Sequence, residues 1–410
     1  MRRVLVVFGL AAAVSVLAAQ QPVLKSGIEI GNVDPSVRPQ DNFYRHINGV
    51  WLARTEIPAD KAGYGAFVEL ADKAEADVRA IIEAAASTPD RVTGSVGQQV
   101  GDLYNSFMSE ARVEQLGAAP IRAELQKIDA ITTVQGMAAE AGALSAINAG
   151  GPLNAGIASD KRDPTTTILY LGQGGLALPD RDYYLQDDPK LVDVRRKYQE
   201  FLEKVLTLSG RPNAAPDAKA VLGLETDLAK IQWTRVESRD SLKTYNKFPF
   251  ESLAREMPGF DWMAWARPQG LDRAVDVVVL QPSFFKSLGA LVTATPLGTW
   301  KAWLAAQYLT ASAPYLSRPF VYASFELFGR TISGQPAQRE RWKRGVSVVS
   351  NYVGMAVGKL YVEKTFPPEA KARMQKMVGN LLEAYRQSIT GLDWMTPETK
   401  KHALDRKSVV

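Results

Sequence analysis

Apolar residues in this chain recur mostly at three- and four-residue spacing, the interval that places them on one face of a helix. Val78, Ile81 and Ile82 follow it, as do Val100, Leu103, Tyr104 and Phe107. Asp188 and Pro189 supply an N-cap and a first-turn proline. The helix they open carries Val194, Tyr198, Phe201, Leu202, Val205 and Leu208 on one side. Val221, Leu224, Leu228 and Ile231 predict the next helix, ending near Trp233. Val346, Val349, Val353, Val357 and Leu360 predict one continuous helix over 345–364, and Met374, Met377, Val378, Leu381, Tyr385 and Ile389 predict another. Strand signals are few. Residues 153–159 and 165–172 flank the turn-prone Asp160-Lys161-Arg162-Asp163-Pro164 and read as a hairpin, and 275–280 reads as one more strand.

Residues 20–65 are punctuated by Pro and Gly, lack a long apolar period, and are expected to run extended. The expected fold class is mainly α: one large helical lobe over 66–395 with a small β-hairpin. Thr396-Pro397-Glu398 opens a further helix, so 396–410 reads as the start of an element that is soon cut short.

Met1-Arg2-Arg3 precedes sixteen residues in which only Gly9 and Ser15 are not clearly apolar. That run is short for a membrane span of about twenty residues, and it ends in small residues that suit cleavage after Ala18 or Ala19. Residues 1–19 are therefore expected to be a signal peptide, with a retained anchor as the alternative. The expected location is periplasmic or extracellular, with no membrane span beyond the signal peptide. A hydrophobic content of 46% and a charged content of 23% exclude disordered and fibrous classes. The absence of cysteine excludes disulfides, thiolate metal sites and cysteine nucleophiles. The net charge is +5, of which Arg2 and Arg3 contribute two. Basic residues are dispersed apart from the stretch 339–344, which reads as a solvated face, so no nucleic-acid partner is expected.

Candidate chemistry is sparse. A His-Glu-x-x-His site needs two imidazoles one helical turn apart so that both reach one zinc. His46 is followed by Ile47 and His402 by Ala403, which excludes that motif from these residues. No Gly-x-Ser-x-Gly elbow presents a serine. Gly354-Met355-Ala356-Val357-Gly358-Lys359 has one residue too few for a phosphate loop, and Leu360 follows where Ser or Thr belongs. Its two glycines read better as a close helix contact. Gly172-Gln173-Gly174-Gly175 reads as a turn after a strand. The carboxyl pairs Glu225/Asp227 and Glu237/Asp240 have the residue types of a glycosidase, but among 44 acids they read as solvated or ion-paired side chains. His46 reads as a packed or hydrogen-bonded ring. No catalytic, cofactor-binding or metal residue is assigned.

Several longer runs resemble one family. Asp41-Asn42-Phe43-Tyr44-Arg45-His46-Ile47-Asn48-Gly49-Val50-Trp51-Leu52 is one of them, and Leu176-Ala177-Leu178-Pro179-Asp180-Arg181-Asp182-Tyr183-Tyr184 is another. Lys243-Thr244-Tyr245-Asn246, Arg341-Trp342-Lys343-Arg344, Gly358-Lys359-Leu360-Tyr361-Val362-Glu363 and Asp393-Trp394-Met395-Thr396-Pro397-Glu398 follow in order. Together they resemble the neprilysin / endothelin-converting-enzyme family of zinc metallopeptidases, from about Asp34 to Asp405. The resemblance implies a two-lobed, largely helical ectoenzyme that cleaves peptide substrates inside a closed cavity. By that resemblance this chain is the N-terminal lobe, and the zinc site belongs to a C-terminal catalytic domain missing from it. Zinc is the cofactor of the full-length family, and none is expected on this chain, which alone should be inactive. Some relatives place an Arg just before Tyr-Gly-x-Phe; here Gly63 stands before Tyr64-Gly65-Ala66-Phe67. The alternative reading is a free-standing, non-catalytic helical module that binds peptides or a partner.

Overall fold

The computed structural model describes residues 27–406, so the expected signal peptide lies outside the described residues. Residues up to Pro58 form one compact unit and those from Ala59 form another. In the first, α1 (Phe43–Arg54) is opened by Asn42, whose side chain accepts from the Arg45 N–H at 2.9 Å. This helix corrects the extended course expected for 20–65. Gly49, in its middle, costs a helix about 1 kcal/mol relative to alanine. It is required because a Cβ there would lie 2.5 Å from the Asp34 Cβ.

The second unit begins with α2 (Ala66–Ser87), α3 (Val96–Met108), α4 (Glu110–Leu116), α5 (Arg122–Asp129) and α6 (Val134–Ala146). Strands β1 (Leu153–Ser159) and β2 (Thr167–Gln173) form the expected antiparallel hairpin, with Leu153 opposite Gln173 and Ser159 opposite Thr167. Next come α7 (Asp182–Leu185), α8 (Pro189–Leu208) and α9 (Ala214–Ile231). Asp188 caps α8 as its sequence predicts, accepting from Lys190 N and Leu191 N. A four-residue strand that the sequence does not announce, β3 (Asn246–Pro249), pairs antiparallel with β4 (Asp276–Val279). β4 is the strand expected at 275–280, and it runs parallel to β2, giving the sheet order β1-β2-β4-β3. Pro249 is tolerated because β3 is an edge strand.

Between and beyond these strands lie α10 (Leu253–Glu256), α11 (Trp262–Ala266), α12 (Pro282–Ala294), α13 (Leu297–Ser312) and α14 (Arg318–Ser324). α14 runs into a π-helix over Phe325–Ile332. The chain closes with α15 (Arg341–Tyr352), α16 (Gly354–Thr365), α17 (Pro368–Gly391) and α18 (Pro397–Arg406). The single helix expected over 345–364 is thus two. Val353 takes non-helical angles (φ −128°, ψ 35°), ends α15, and accepts from the Ala356 and Val357 N–H groups at the start of α16.

Two separate hydrophobic clusters hold this unit. The larger gathers α5, α6, α8, α9 and α11–α13 around the fully buried Trp265, Trp300 and Trp303. The smaller packs Ile82, Val100, Tyr104, Val346, Val349 and Val357 from α2, α3, α15 and α16. The close glycine contact falls at Gly345, where a Cβ would lie 2.9 Å from the Tyr104 ring. At Gly354 and Gly358 nothing stands within 4 Å, which corrects the helix contact expected of that pair.

Candidate functional site

The Leu176–Tyr184 run is tied down by hydrogen bonds through its buried Leu178 and Tyr184, while its outer side lines a cavity of about 310 Å³ together with Trp233, Arg235 and Ser238. Gly175 turns the chain at φ 89°, a conformation glycine adopts freely. The loop then closes on itself when Leu178 N–H donates to the Tyr184 hydroxyl at 3.0 Å. That hydroxyl donates in turn to Glu225 Oε2 at 2.6 Å, while Trp303 Nε1 and Gln307 Nε2 donate to Oε1 at 3.2 and 2.9 Å. Arg181 Nε donates to the Ala229 carbonyl at 3.1 Å, and Arg235 pairs with Asp180 at 2.5 Å. One carboxylate therefore joins the loop, α9 and α13. Burial pushes the Glu225 carboxyl up to about 7, and donors led by Tyr184 and Tyr198 hold it from rising further. Burial, then the neighbouring Glu225, raises the Tyr184 hydroxyl well above its usual range.

This corrects the solvated face expected for Glu225. Asp227, two residues on, is half-exposed and pairs with Lys230 at 2.8 Å. Glu237 accepts from Thr234 N–H, and Asp240 from Leu242 and Lys243 N–H groups, so both fasten exposed turns. Glu225, sealed in the core, has no route to a substrate.

The 339–344 stretch is also not the solvated face expected of it. Arg339 reaches Glu75 at 2.5 Å, Lys343 Nζ reaches Asp60 Oδ2 at 2.6 Å, and Arg341 donates to the Phe107 carbonyl. The Arg79 guanidinium stacks 4.0 Å over the Trp342 ring. The hydrogen bond from Lys343 holds the Asp60 carboxyl below its ordinary value. Both partners are largely shielded, at 20% and 14% side-chain exposure, so the pair exceeds an ordinary surface bridge. Lys343→Met is expected to lower stability by about 1–2 kcal/mol. A double-mutant cycle with Asp60→Asn, read by urea unfolding, should return a coupling of about 1 kcal/mol; additive single effects would show that the contact contributes nothing.

α17 leaves its apolar side unpartnered. It has no buried residue, and Met374, Met377, Val378, Leu381 and Tyr385 are exposed along it. Nearby in the chain, Met355 is 92% and Trp394 75% exposed. Contiguous apolar surface of this kind marks an interaction face in soluble proteins.

Zinc in an enzyme needs at least three protein ligands. Among the described residues no three His, Cys, Asp or Glu side chains gather to hold a metal ion. His46 Nδ1 sits 2.7 Å from the Val37 carbonyl, which accounts for its ring as a hydrogen-bonded one, and His402 is exposed on α18. These residues do not fit a zinc site, and no zinc chemistry is derived from them. Among the described residues, no helix is long and apolar enough to cross a membrane.

Comparison with known proteins places the chain. The N-terminal model of peptidase family M13 matches residues 39–408. Mouse endothelin-converting enzyme-like 1 is 25% identical over 91% of this chain and 50% of its own length. The neutral endopeptidase of Lactobacillus helveticus is 26% identical over 92% of this chain and 58% of its own. The crystal structure of the Mycobacterium tuberculosis zinc metalloprotease Zmp1 with an inhibitor superposes with a TM-score of 0.84 at 39% identity, covering 93% of this chain and 58% of that one. The chain thus spans a little over half the length of the relatives it matches. A mainly helical fold with a small sheet, shared along more than nine-tenths of the chain, and a family model matching nearly all of it lead to one conclusion: the chain belongs to peptidase family M13.

Proposed function

We propose that this chain is the N-terminal lobe of an exported, neprilysin-like zinc metalloendopeptidase, and that a catalytic domain outside these residues supplies the zinc site. The lobe would cover the peptide chamber and limit which substrates enter. The observation that carries this reading is the bare apolar side of α17, the kind of surface a docked second domain removes from water. The share of each relative that the chain spans supports it, and the apolar run at residues 1–19 supports export. Peptide substrates would meet this chain only in the assembled enzyme.

The test is to purify residues 20–410, measure zinc per chain by elemental analysis, and assay a fluorogenic peptide. Less than a tenth of an equivalent of zinc and no hydrolysis above blank are expected. One equivalent of tightly held zinc accompanied by hydrolysis would overturn the proposal, because the chemistry would then reside in these residues.

A further inference from the structure

Between α4, the turn after α6 and the end of α13 lies a cavity of about 690 Å³, with Leu116, Ile147, Tyr308, Tyr315, Leu316 and Tyr352 on its walls. Its volume falls in the range of small-molecule sites, about 300–1,000 Å³. None of its lining residues carries a charge. Ile147 and Tyr352 are 58% and 61% exposed, so the walls face water and a ligand entering would cover them. The Tyr315 and Tyr352 rings meet edge-on, centroids 6.0 Å apart at 72°, and their hydroxyls lie 3.2 Å apart. One hydroxyl donates to the other, which leaves one O–H free to donate and oxygen lone pairs free to accept. Burial, then the neighbouring Tyr352 hydroxyl, pushes the Tyr315 hydroxyl up to about 12, so Tyr315 stays neutral at physiological pH. Asn148, at φ 56°, shapes the turn that carries Ile147 to the rim.

An ion entering this cleft would lose hydration without gaining an opposite charge. An aromatic ring would gain edge-to-face partners, and a hydroxyl on it would join the tyrosine pair. We infer that the Tyr308–Tyr315–Tyr352 cleft is a binding site for an uncharged phenol, presented either by a free small molecule or by a tyrosine side chain of a peptide. This goes beyond the peptidase reading and does not depend on it.

Calorimetric titration and saturation-transfer NMR on the 20–410 chain would use 4-ethylphenol and the neutral peptide Ac-Gly-Tyr-Gly-NH₂ as the two sources, with 4-ethylbenzoate as the charged match. Saturable binding of at least one phenol is expected, at least tenfold tighter than the benzoate, and the tighter of the two identifies the source. Ala311→Phe, which places a ring in the cleft, should weaken that binding at least tenfold with an unchanged melting curve. Tyr352→Phe, which keeps the wall and removes a hydroxyl, should weaken it about fivefold. The proposal fails if neither phenol saturates, if the benzoate binds equally well, or if folded Ala311→Phe and Tyr352→Phe chains both bind like the parent.

Discussion

Replacing Glu225 by alanine should remove about 4 kcal/mol of stability, the largest loss expected from any single side chain described above. The change strips the acceptor from Tyr184, Trp303 and Gln307 together. Each buried donor left without a partner costs about 1–3 kcal/mol, and deleting one member of a buried ionisable network costs about 3–5 kcal/mol. The same group makes stability depend on pH. Its folded pKa, about 7, lies above the ordinary value of 4.5. The folded state therefore binds a proton more tightly than the unfolded chain does. That contribution is fully present below pH 4.5 and is lost as pH rises through 7. At about 1.4 kcal/mol per unit, lowering the pH from 8 to 5 should raise stability by about 3 kcal/mol.

Glu140, pushed to about 7 by burial and by its contact with Glu124, acts in the same direction, discounted for its partial exposure to solvent. Glu225→Gln should accordingly keep only a shallow residual slope. Urea midpoints at pH 5 and 8 decide the matter: equal midpoints in the parent, or an undiminished slope in Glu225→Gln, would refute this account.

Gly142→Ala comes next, with an expected net loss of about 2 kcal/mol. A Cβ at this position would lie 2.0 Å from the Trp265 carbonyl oxygen and 2.9 Å from its carbon. The obstacle is backbone, so α6 and α11 must move apart, and overpacking of this kind typically costs about 1–3 kcal/mol. The gain in helix propensity, about 1 kcal/mol, does not offset it. Gly223 in α9 supplies the control, because nothing stands within 4 Å of its would-be Cβ. Gly223→Ala should leave stability unchanged or raise it by up to about 1 kcal/mol. If the two variants unfold at the same urea concentration, close backbone contact is not what fixes α6 on α11.

The elements that read well in the sequence carry their own local signals. Asp188-Pro189 opens α8, Thr396 caps α18 by accepting from Thr399 N–H, and the turn at Asp160–Pro164 joins two apolar strands. What did not read well is set by partners distant in the chain. The break at Val353 is invisible to periodicity because Val346, Val349 and Val357 enter the same cluster from both sides of it. The phase of the stripe survives while the backbone does not. The roles of Arg339 and Lys343 depend on Glu75 and Asp60, hundreds of residues earlier. α1 hides because none of its residues is buried. Glu225 did leave a trace: it stands four residues after Val221 and three before Leu228, on the buried stripe of α9. A carboxylate in register with core residues is better read as a buried acceptor than as a surface charge.

The two hydrophobic clusters have a thermodynamic consequence. Each encloses its own apolar interior within one compact unit, and loss of structure in two stages is the expected result. Glu225 bonds Trp303 and Gly142 abuts Trp265, both of the larger cluster, whereas Lys343 lies on the first turn of α15, beside the smaller one. Their substitutions therefore report on different foldons. A single melting temperature would average over both, and amide hydrogen exchange resolved by segment is the observable that keeps them apart.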